Sequence, residues 1–266
     1  PSGAEARHLG DRVGTTEVVP SRPFATTEIV SSRRWGQRPT ANDQRLRFED
    51  LVRAILEQTS LEKLRISSVE PMDWSEDLIR LAAESPRIAK HAHVPMQSGS
   101  DRVLRAMHRK YRPWHYRDKI LSIRDAMPTA AIGADVMVGF PGETEPDFEE
   151  TRRMVEELPF TYLHVFTYSP RPGTPAAAMP NQVPVRVARQ RNRILREMAG
   201  CKKLAFMRSF VGKTVEAITL NVSDGEHAEA LTDNYLKLRL AGEHASNQWI
   251  AAQVNEVANG ALIGTL

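Results

Sequence analysis

Cysteine is almost absent from this sequence, because its 266 residues contain only Cys201. A single thiol excludes a disulfide framework, and it excludes any metal cluster held by several cysteines of these residues alone. Cys201 falls in line with the apolar positions of a predicted helix. We therefore expect it to be a buried small hydrophobe and not a reactive nucleophile.

Long apolar runs and a strong net charge are also lacking. No run approaches the length of a membrane span and no signal peptide is recognisable, which predicts a cytoplasmic protein without a membrane partner. The formal net charge is +3 and the pI is about 9.1. This mild basicity permits nucleic acid as a partner without requiring it.

The first 45 residues lack any hydrophobic period. Arginine, proline, threonine and serine are interspersed there, and no lysine precedes Lys63. Such a segment buries too little apolar surface to offset its loss of chain entropy, so residues 1–45 are predicted to be a disordered arm. A wrongly assigned start or a shifted reading frame would give the same pattern.

Regular patterning begins at Phe48. From there, helices with one apolar face alternate with short apolar strands, which predicts about four strand–helix units of an α/β fold. Parallel strands joined by right-handed crossovers would form an incomplete (βα) barrel over residues 46–184. The predicted strands cover residues 64–69, 91–96, 132–138 and 162–167.

The unit at residues 132–151, IGADVMVGFPGETEPDFEET, organises the rest of the chain. A buried strand leads into the loop 139–142, whose two glycines permit backbone angles that other residues resist. Thr144 with Asp147 three residues later predicts a helix N-cap. The loop therefore lies at the carboxyl end of a parallel strand, where α/β proteins place ligands.

Each predicted strand ends in polar or glycine-bearing residues. Parallel strands gather such ends on one rim, where hydroxyl, amide, carboxylate and guanidinium groups suit a ligand with amine, carboxylate and ribose groups. Alternatively each segment is only a turn or an N-cap, as we expect for Ser100. The four segments are residues 67–71, 95–100, 139–143 and 169–174.

The C-terminal third changes character after a proline-rich linker. A helix is predicted over residues 185–210, and short alternating segments over 211–266 predict a small antiparallel β-barrel. In its third strand Tyr235, Lys237 and Arg239 would share the outer face, which could stack bases and hold phosphates or be ordinary solvated surface. The helix carries a basic stripe of Arg186, Arg189, Arg193 and Arg196.

Three motifs resemble those of the radical S-adenosylmethionine tRNA methylthiotransferases of the MiaB type. They are HVPMQSGSDRVLRAM (93–107), DVMVGFPGET (135–144) and YSPRPGTPAA (168–177). Two further segments, LRISSVEPMD (64–73) and PFTYLHVFTYS (159–169), are most similar to the subgroup that acts on threonylcarbamoyladenosine beside the anticodon. The resemblance runs from about residue 46 to the C-terminus.

This resemblance implies a partial radical-SAM-type barrel that binds S-adenosylmethionine, and a C-terminal TRAM domain that binds tRNA. The residues that it assigns to the cofactor are Ser68, Gln97, Asp135, Gly139, Phe140 and Gly142. The residues that we assign to RNA are Arg171, Arg186, Arg189, Arg193, Tyr235, Lys237 and Arg239.

The family also implies two 4Fe–4S clusters, one of them held by a CxxxCxxC loop that cleaves the cofactor. This sequence has no such loop, and a cluster of that kind needs three thiolates. We therefore expect a truncated, catalytically incomplete form without catalytic or metal-binding residues, which binds S-adenosylmethionine weakly and could pair with a separate chain carrying the absent half. The alternatives are a non-catalytic RNA-binding module and an unrelated βα-barrel enzyme that binds a phosphate or nucleotide.

Overall fold

A parallel sheet of three strands forms the centre of the α/β part. The computed structural model describes residues 47–223 and 225–266, so the arm predicted over residues 1–45 lies outside it. The strands are paired in chain order, β1–β2–β3. They comprise β1 (His91–His93), β2 (Ala131–Val138) and β3 (Tyr162–Thr167).

The first two predicted strands are shorter than expected. Single parallel bridges join Leu64 to Ile88 and Ser68 to His93, so residues 64–69 do not form a continuous strand. Strand β1 stops at His93, and pairing returns only as a bridge between Gln97 and Val136. The Val94 and Met96 N–H groups still donate to the Gly133 and Asp135 carbonyls, at 2.9 and 3.1 Å, so backbone contact with β2 continues past His93.

Helices cover one face of the sheet. Their 3.6-residue apolar period placed them correctly to within a few residues, since burying that face is what stabilises each helix. The helices of the described part are α1 (Phe48–Gln58), α2 (Glu76–Glu84), α3 (Asp101–Ala106), α4 (Pro113–Ala126), α5 (Glu145–Glu157) and α6 (Val185–Arg208), with 3₁₀ turns at Pro71–Asp73 and Pro175–Ala178.

Alternation along β2 separates a covered face from an open one. Ile132, Val136 and Val138 are fully buried in the core beneath the helices. Asp135 and Met137 point the other way and keep part of their surface accessible. The polar groups of the strands therefore collect on the face that the helices do not cover.

The N-cap prediction for α5 is confirmed. Thr144 caps the helix, and the Asp147 side chain accepts a hydrogen bond from the Thr144 N–H at 2.7 Å, completing a capping box. Ser100 precedes α3, but its hydroxyl does not cap that helix. The Ser100 hydroxyl donates instead to Asp147 Oδ1 at 2.8 Å. Ser100 therefore occupies the N-cap position, as predicted, but it does not form the capping hydrogen bond.

The buried face of helix α6 only partly matches the predicted apolar stripe, of which Ile194 and Met198 pack against the core. Cys201 is exposed, which corrects the expectation that it lies in the core. The buried face instead runs through Ala188, Arg191, Leu195 and Ala199. The hydropathy pattern did not predict this face in full because the face contains Arg191, whose burial depends on carboxylates elsewhere in the chain.

The predicted β-barrel is present and closed. Its strands follow the order β4–β5–β6–β8–β7 around the barrel. They comprise β4 (Thr214–Ser223), β5 (His227–Thr232), β6 (Lys237–Ala241), β7 (Trp249–Ala258) and β8 (Ala261–Thr265). Sequence patterning missed β8, although Asn259 and Gly260, with φ of 50° and 74°, form the kind of Asn-Gly turn that signals a hairpin. Strand β8 pairs in parallel with β6, so the barrel is not wholly antiparallel as predicted.

Polar contacts attach the barrel to the α/β part. Lys63 Nζ lies 2.8 Å from Asp233 Oδ1, and the Asn234 amide donates to the Thr129 carbonyl at 2.9 Å. The Trp249 indole donates to Glu62 Oε2 at 2.8 Å. Among the helices of the described part, none is both long and apolar enough to cross a membrane.

Candidate functional site

Alternate positions on the three parallel strands place polar side chains side by side on the open face. His93 ends β1, Asp135 lies in β2, and His164 is its register partner in β3. His93 Nε2 and His164 Nδ1 each lie 3.2 Å from Asp135 Oδ1. The Asp135 carboxylate therefore sits between two imidazole rings.

Gln97 lies at the same rim as Asp135. Its N–H donates to the Asp135 carbonyl, and its own carbonyl accepts from the Met137 N–H, both at 2.8 Å. These bonds hold Gln97 at a φ of 61°, in the left-handed region that non-glycine residues rarely adopt. Gln97 and Asp135, which come from different motifs and were both assigned to the cofactor, are thus joined by a backbone hydrogen bond.

Ser68 lies on the neighbouring segment of chain. The Val69 N–H donates to the His93 carbonyl at 3.1 Å, which ties this segment to β1. Ser68 also lines a groove of about 610 Å³ with Glu70 and Met72. The structure therefore places Ser68 next to the site, in the wall of this groove.

The glycine loop after β2 is packed against α6. Gly139 has a φ of 77°, and a Cβ added to it would lie 2.6 Å from the Ala188 Cβ. Phe140 is buried and contacts the Tyr168 ring edge-on at 5.5 Å. Gly142, with a φ of 80°, donates its N–H to the Asn181 carbonyl at 2.8 Å. Packing alone accounts for these residues, and their contact with a cofactor stays a prediction.

A buried ion pair fixes this loop to the helix. Arg191 Nη1 lies 3.0 Å from Glu143 Oε2, and both side chains are almost fully buried. The Gly139 N–H also donates to the Glu143 carboxylate. Burial raises the pKa of Glu143, while the Gly139 N–H and the Arg191 charge oppose that rise.

A second cavity, of about 340 Å³, lies where the barrel meets the sheet. His91 is buried in its wall, and its Nε2 lies 2.8 Å from the Tyr162 hydroxyl. Burial, followed by the charge of Arg65, lowers the pKa of His91 to about 4, so its imidazole is neutral at pH 7. The cavity wall therefore combines aromatic rings with the neutral His91 imidazole, and Arg65, Lys203 and His164 also line it.

Tyr235 belongs to this cavity, which corrects its predicted position. It lies in the turn before β6, with a φ of 64°, and not on the strand face shared by Lys237 and Arg239. Its ring centroid is 5.3 Å from that of His91, and the Arg65 guanidinium stacks 4.1 Å above it. The alternation of side chains along β6 does not extend to Tyr235, because the turn before the strand reverses the backbone.

All the cations predicted to contact RNA are exposed except Arg239, and they lie on separate elements of the structure. Lys237 is exposed on β6 and pairs with Glu229 at 2.8 Å. Arg239, on the same face, is partly buried. Arg171, in the loop after β3, is exposed, as are Arg186, Arg189 and Arg193 on the outer face of α6.

Sequence reasoning missed His93 and His164 as site residues. Burial lowers the pKa of His93, and the neighbouring Asp135 carboxylate opposes that effect. The available signal was the recurrence of polar residues at alternate positions of otherwise apolar strands, as in His91-Ala92-His93 and Tyr162-Leu163-His164.

Comparison with known proteins shows that the chain belongs to the radical SAM superfamily. Residues 26–155 match the model of the radical SAM superfamily, so the match begins before residue 46, where the motif resemblance was placed. The chain is 42% identical over 209 residues to the tRNA-2-methylthio-N(6)-dimethylallyladenosine synthase of Thermobifida fusca, which covers 79% of the chain and 41% of that protein.

Two further relatives carry the same name. That of Saccharopolyspora erythraea is 44% identical over 182 residues, covering 68% of the chain and 36% of the relative. That of Pseudomonas aeruginosa is 35% identical over 268 residues, covering 99% of the chain and 58% of the relative. The chain thus spans about half, or less, of the length of these relatives.

Proposed function

We propose that this chain, a relative of the radical SAM tRNA methylthiotransferases, takes part in the methylthiolation of an N6-modified adenosine of tRNA. In this proposal the open face of the sheet binds S-adenosylmethionine, and the C-terminal barrel acts as a TRAM-like domain that binds RNA. The observation that carries it is the hydrogen-bonded pairing of Gln97 and Asp135, which come from two separate family motifs, at one rim.

The residues at this rim fit S-adenosylmethionine. The Gln97 amide and the Ser68 hydroxyl make no hydrogen bond to the described residues through their side chains, and the Asp135 carboxylate can accept from an amine or a ribose hydroxyl. Bound there, S-adenosylmethionine would supply the radical chemistry of the family. These side chains would bind and orient it, with the loop 139–142 beside its adenine.

A 4Fe–4S cluster does not fit the residues present. Its ligands would be thiolates, and the sequence offers only Cys201, on the exposed face of α6. We derive no step through such a cluster. We propose that these residues alone are catalytically incomplete. We also propose that S-adenosylmethionine binds to them weakly, because the cluster iron that would bind its amino and carboxylate groups requires cysteines beyond this sequence or from another chain.

The modification on the substrate is also a proposal. The relatives described above carry the dimethylallyladenosine name, which favours a dimethylallyl group over the threonylcarbamoyl group predicted from residues 64–73 and 159–169. The cavity that contains Tyr235 and His91 supports a role in holding an unpaired base, because aromatic rings and a stacked arginine suit base stacking.

RNA binding can be tested on the full chain by filter binding. The ligands are anticodon stem-loops that carry dimethylallyladenosine, threonylcarbamoyladenosine or unmodified adenosine. We expect the dimethylallyl form to bind most tightly, with affinity falling steeply as salt rises, because phosphate contacts release counterions.

Tyr235→Ala should cost about 1–3 kcal/mol of binding free energy if the ring stacks a base. Each arginine of Arg186, Arg189 and Arg193 that contacts a phosphate should lower the salt slope by about one unit when replaced by alanine.

Trp114→Ala, which removes an exposed aromatic ring on α4, is the matched control and should bind as the wild type does. Equal binding of all three stem-loops would overturn the substrate assignment. Affinity that is insensitive to salt and to the arginine replacements would overturn the RNA-binding role.

The single cysteine favours one second candidate, a non-catalytic RNA-binding module. Calorimetric titration with S-adenosylmethionine separates the two. Weak binding that Gln97→Ala or Asp135→Ala abolishes supports the methylthiotransferase proposal, whereas RNA binding with no cofactor binding supports the module.

A further inference from the structure

Two imidazoles and one carboxylate converge on the open face of the sheet. One ligand atom from each of His93, Asp135 and His164 lies within 4.8 Å of the other two. These side chains are the types that bind divalent transition metals, and two histidines with one carboxylate form a recognised metal-binding set. No metal-binding residue was predicted at this position from the sequence.

The separations agree with coordination to one ion. Zinc binds histidine nitrogen and carboxylate oxygen at about 2.0–2.2 Å, so two ligands of a tetrahedral or octahedral ion lie roughly 3.0–3.4 Å apart. Both imidazole nitrogens lie 3.2 Å from Asp135 Oδ1. The imidazole ligand atoms lie within 4.8 Å of each other, so the two rings would close around an ion shared with Asp135.

The backbone fixes the three ligands in place. They come from adjacent strands in parallel register, with His93 opposite Gly133 and Asp135 opposite His164. The rings of His93 and His164 also pack edge-on, with centroids 5.4 Å apart. Sites built on strands hold their geometry better than sites built on loops.

A hydrogen-bonded cluster without an ion is the competing explanation. His164 Nδ1 is within hydrogen-bonding distance of Asp135. His93 Nε2 is buried, however, and has no well-formed hydrogen bond to any described residue despite its 3.2 Å contact with Asp135. A buried polar atom without such a bond calls for an explanation, and a bound ion provides one.

We propose that His93, Asp135 and His164 bind one divalent transition-metal ion, such as Zn²⁺ or Fe²⁺, separately from any cysteine-bound cluster. The His164 side chain is about half exposed, so the ion would keep open coordination positions toward solvent. Asp135 is shared with the rim proposed for S-adenosylmethionine, but neither imidazole is. The metal site can thus stand if the proposed function fails.

Metal binding can be measured on the full chain with Cys201→Ser in the background, which removes the only thiol. The untagged protein is stripped with a chelator and titrated with Zn²⁺ by calorimetry and with Co²⁺ by visible absorption. We expect one ion per chain and Co²⁺ ligand-field bands of a low-symmetry site. His93→Ala, Asp135→Asn and His164→Ala should each weaken binding by at least about tenfold, since loss of even an outer-shell partner costs 10–100-fold.

His115→Ala is the matched control, because it removes an exposed imidazole on α4 away from the strands. It should bind the ion as the background protein does. His164→Gln tests the site with a half-exposed position that folding tolerates, and it should also lose affinity. Absence of binding, or equal binding by His115→Ala and His164→Gln, would overturn the proposal, and the second result would indicate adventitious surface coordination.

Discussion

Asp147 joins two segments that are distant in the sequence. Its carboxylate accepts hydrogen bonds from the Ser100 hydroxyl at 2.8 Å and from the Thr144 N–H at 2.7 Å, and Arg102 pairs with it. Asp147 is buried. One side chain therefore caps α5 and anchors the segment that follows Gln97.

The charge of Asp147 makes stability depend on pH. Burial by itself would raise the pKa of Asp147, but the bonds from Arg102, Thr144 and Ser100 outweigh it and hold the pKa well below its usual range. The unfolded chain therefore binds the proton more readily than the folded one. The stabilisation is complete above the unfolded pKa of about 4 and is lost as pH falls below it.

Asp147→Asn should remove this stabilisation. We expect a loss of about 2–3 kcal/mol in unfolding free energy at pH 7, because the charged hydrogen bonds disappear. The variant should also show a weaker fall in stability between about pH 5 and pH 3. Urea unfolding across that range measures both. Asp118→Asn, at an exposed position on α4, is the control, and the proposal fails if the two variants share one pH profile.

At the scale of elements, α6 is held by a charge inside its buried face. Arg191 contacts Glu143 at 3.0 Å and Glu145 at 2.8 Å, and its guanidinium lies 5.2 Å from the Phe148 ring centroid. The helix also donates from Asn192 to the Val165 carbonyl at 2.9 Å. Helix α6 is thus attached to both the glycine loop and β3.

Arg191→Met should destabilise the protein strongly. It leaves the Glu143 carboxylate buried without its partner, a change that costs about 3–5 kcal/mol when one member of a buried pair is removed. Arg189→Met, on the exposed face of the same helix, should change stability by no more than about 0.5 kcal/mol. Equal unfolding midpoints in urea for the two variants would contradict this account. Adding Glu143→Gln to Arg191→Met should recover part of the loss.

At the scale of the whole described molecule, the barrel is joined to the α/β part mainly by polar and stacking contacts. Lys63 takes part twice, through Asp233 and through the Trp249 ring at 5.3 Å. Asn234 adds the hydrogen bond to the Thr129 carbonyl. Each part has its own hydrophobic core, and α6 contributes to both, with Leu195 in the first and Met207 in the second. We expect the two parts to unfold separately once the polar contacts between them are weakened.

The double variant Lys63→Ala, Asn234→Ala tests this coupling. We expect the wild type to unfold in one calorimetric transition and the variant in two, because about 1–2 kcal/mol of contact between the parts is lost. Lys119→Ala with Asn255→Ala, which changes residues outside the junction, should leave one transition. A single transition in the double junction variant would show that the parts are coupled by something other than these contacts.

The sequence by itself determined the local elements. Periodicity located β3 at Tyr162–Thr167 and the helix that begins at Val185, and the spacing of Thr144 and Asp147 identified the cap of α5. These features depend on residues a few positions apart, so a single sequence contains the information needed to predict them. The motifs likewise led to the same family that the comparisons support.

Only the tertiary structure decided which distant residues meet. His93, Asp135 and His164 converge because three strands lie in one register, and neither that register nor its order follows from the periodicity of any one strand. Arg191 is buried because Glu143 compensates its charge, so hydropathy along α6 could not place Arg191 in the buried face. Tyr235 lies beside His91 because a turn reverses the chain before β6. In each case the position of the side chain depends on interactions with residues far away in the sequence, and local patterning does not identify those residues.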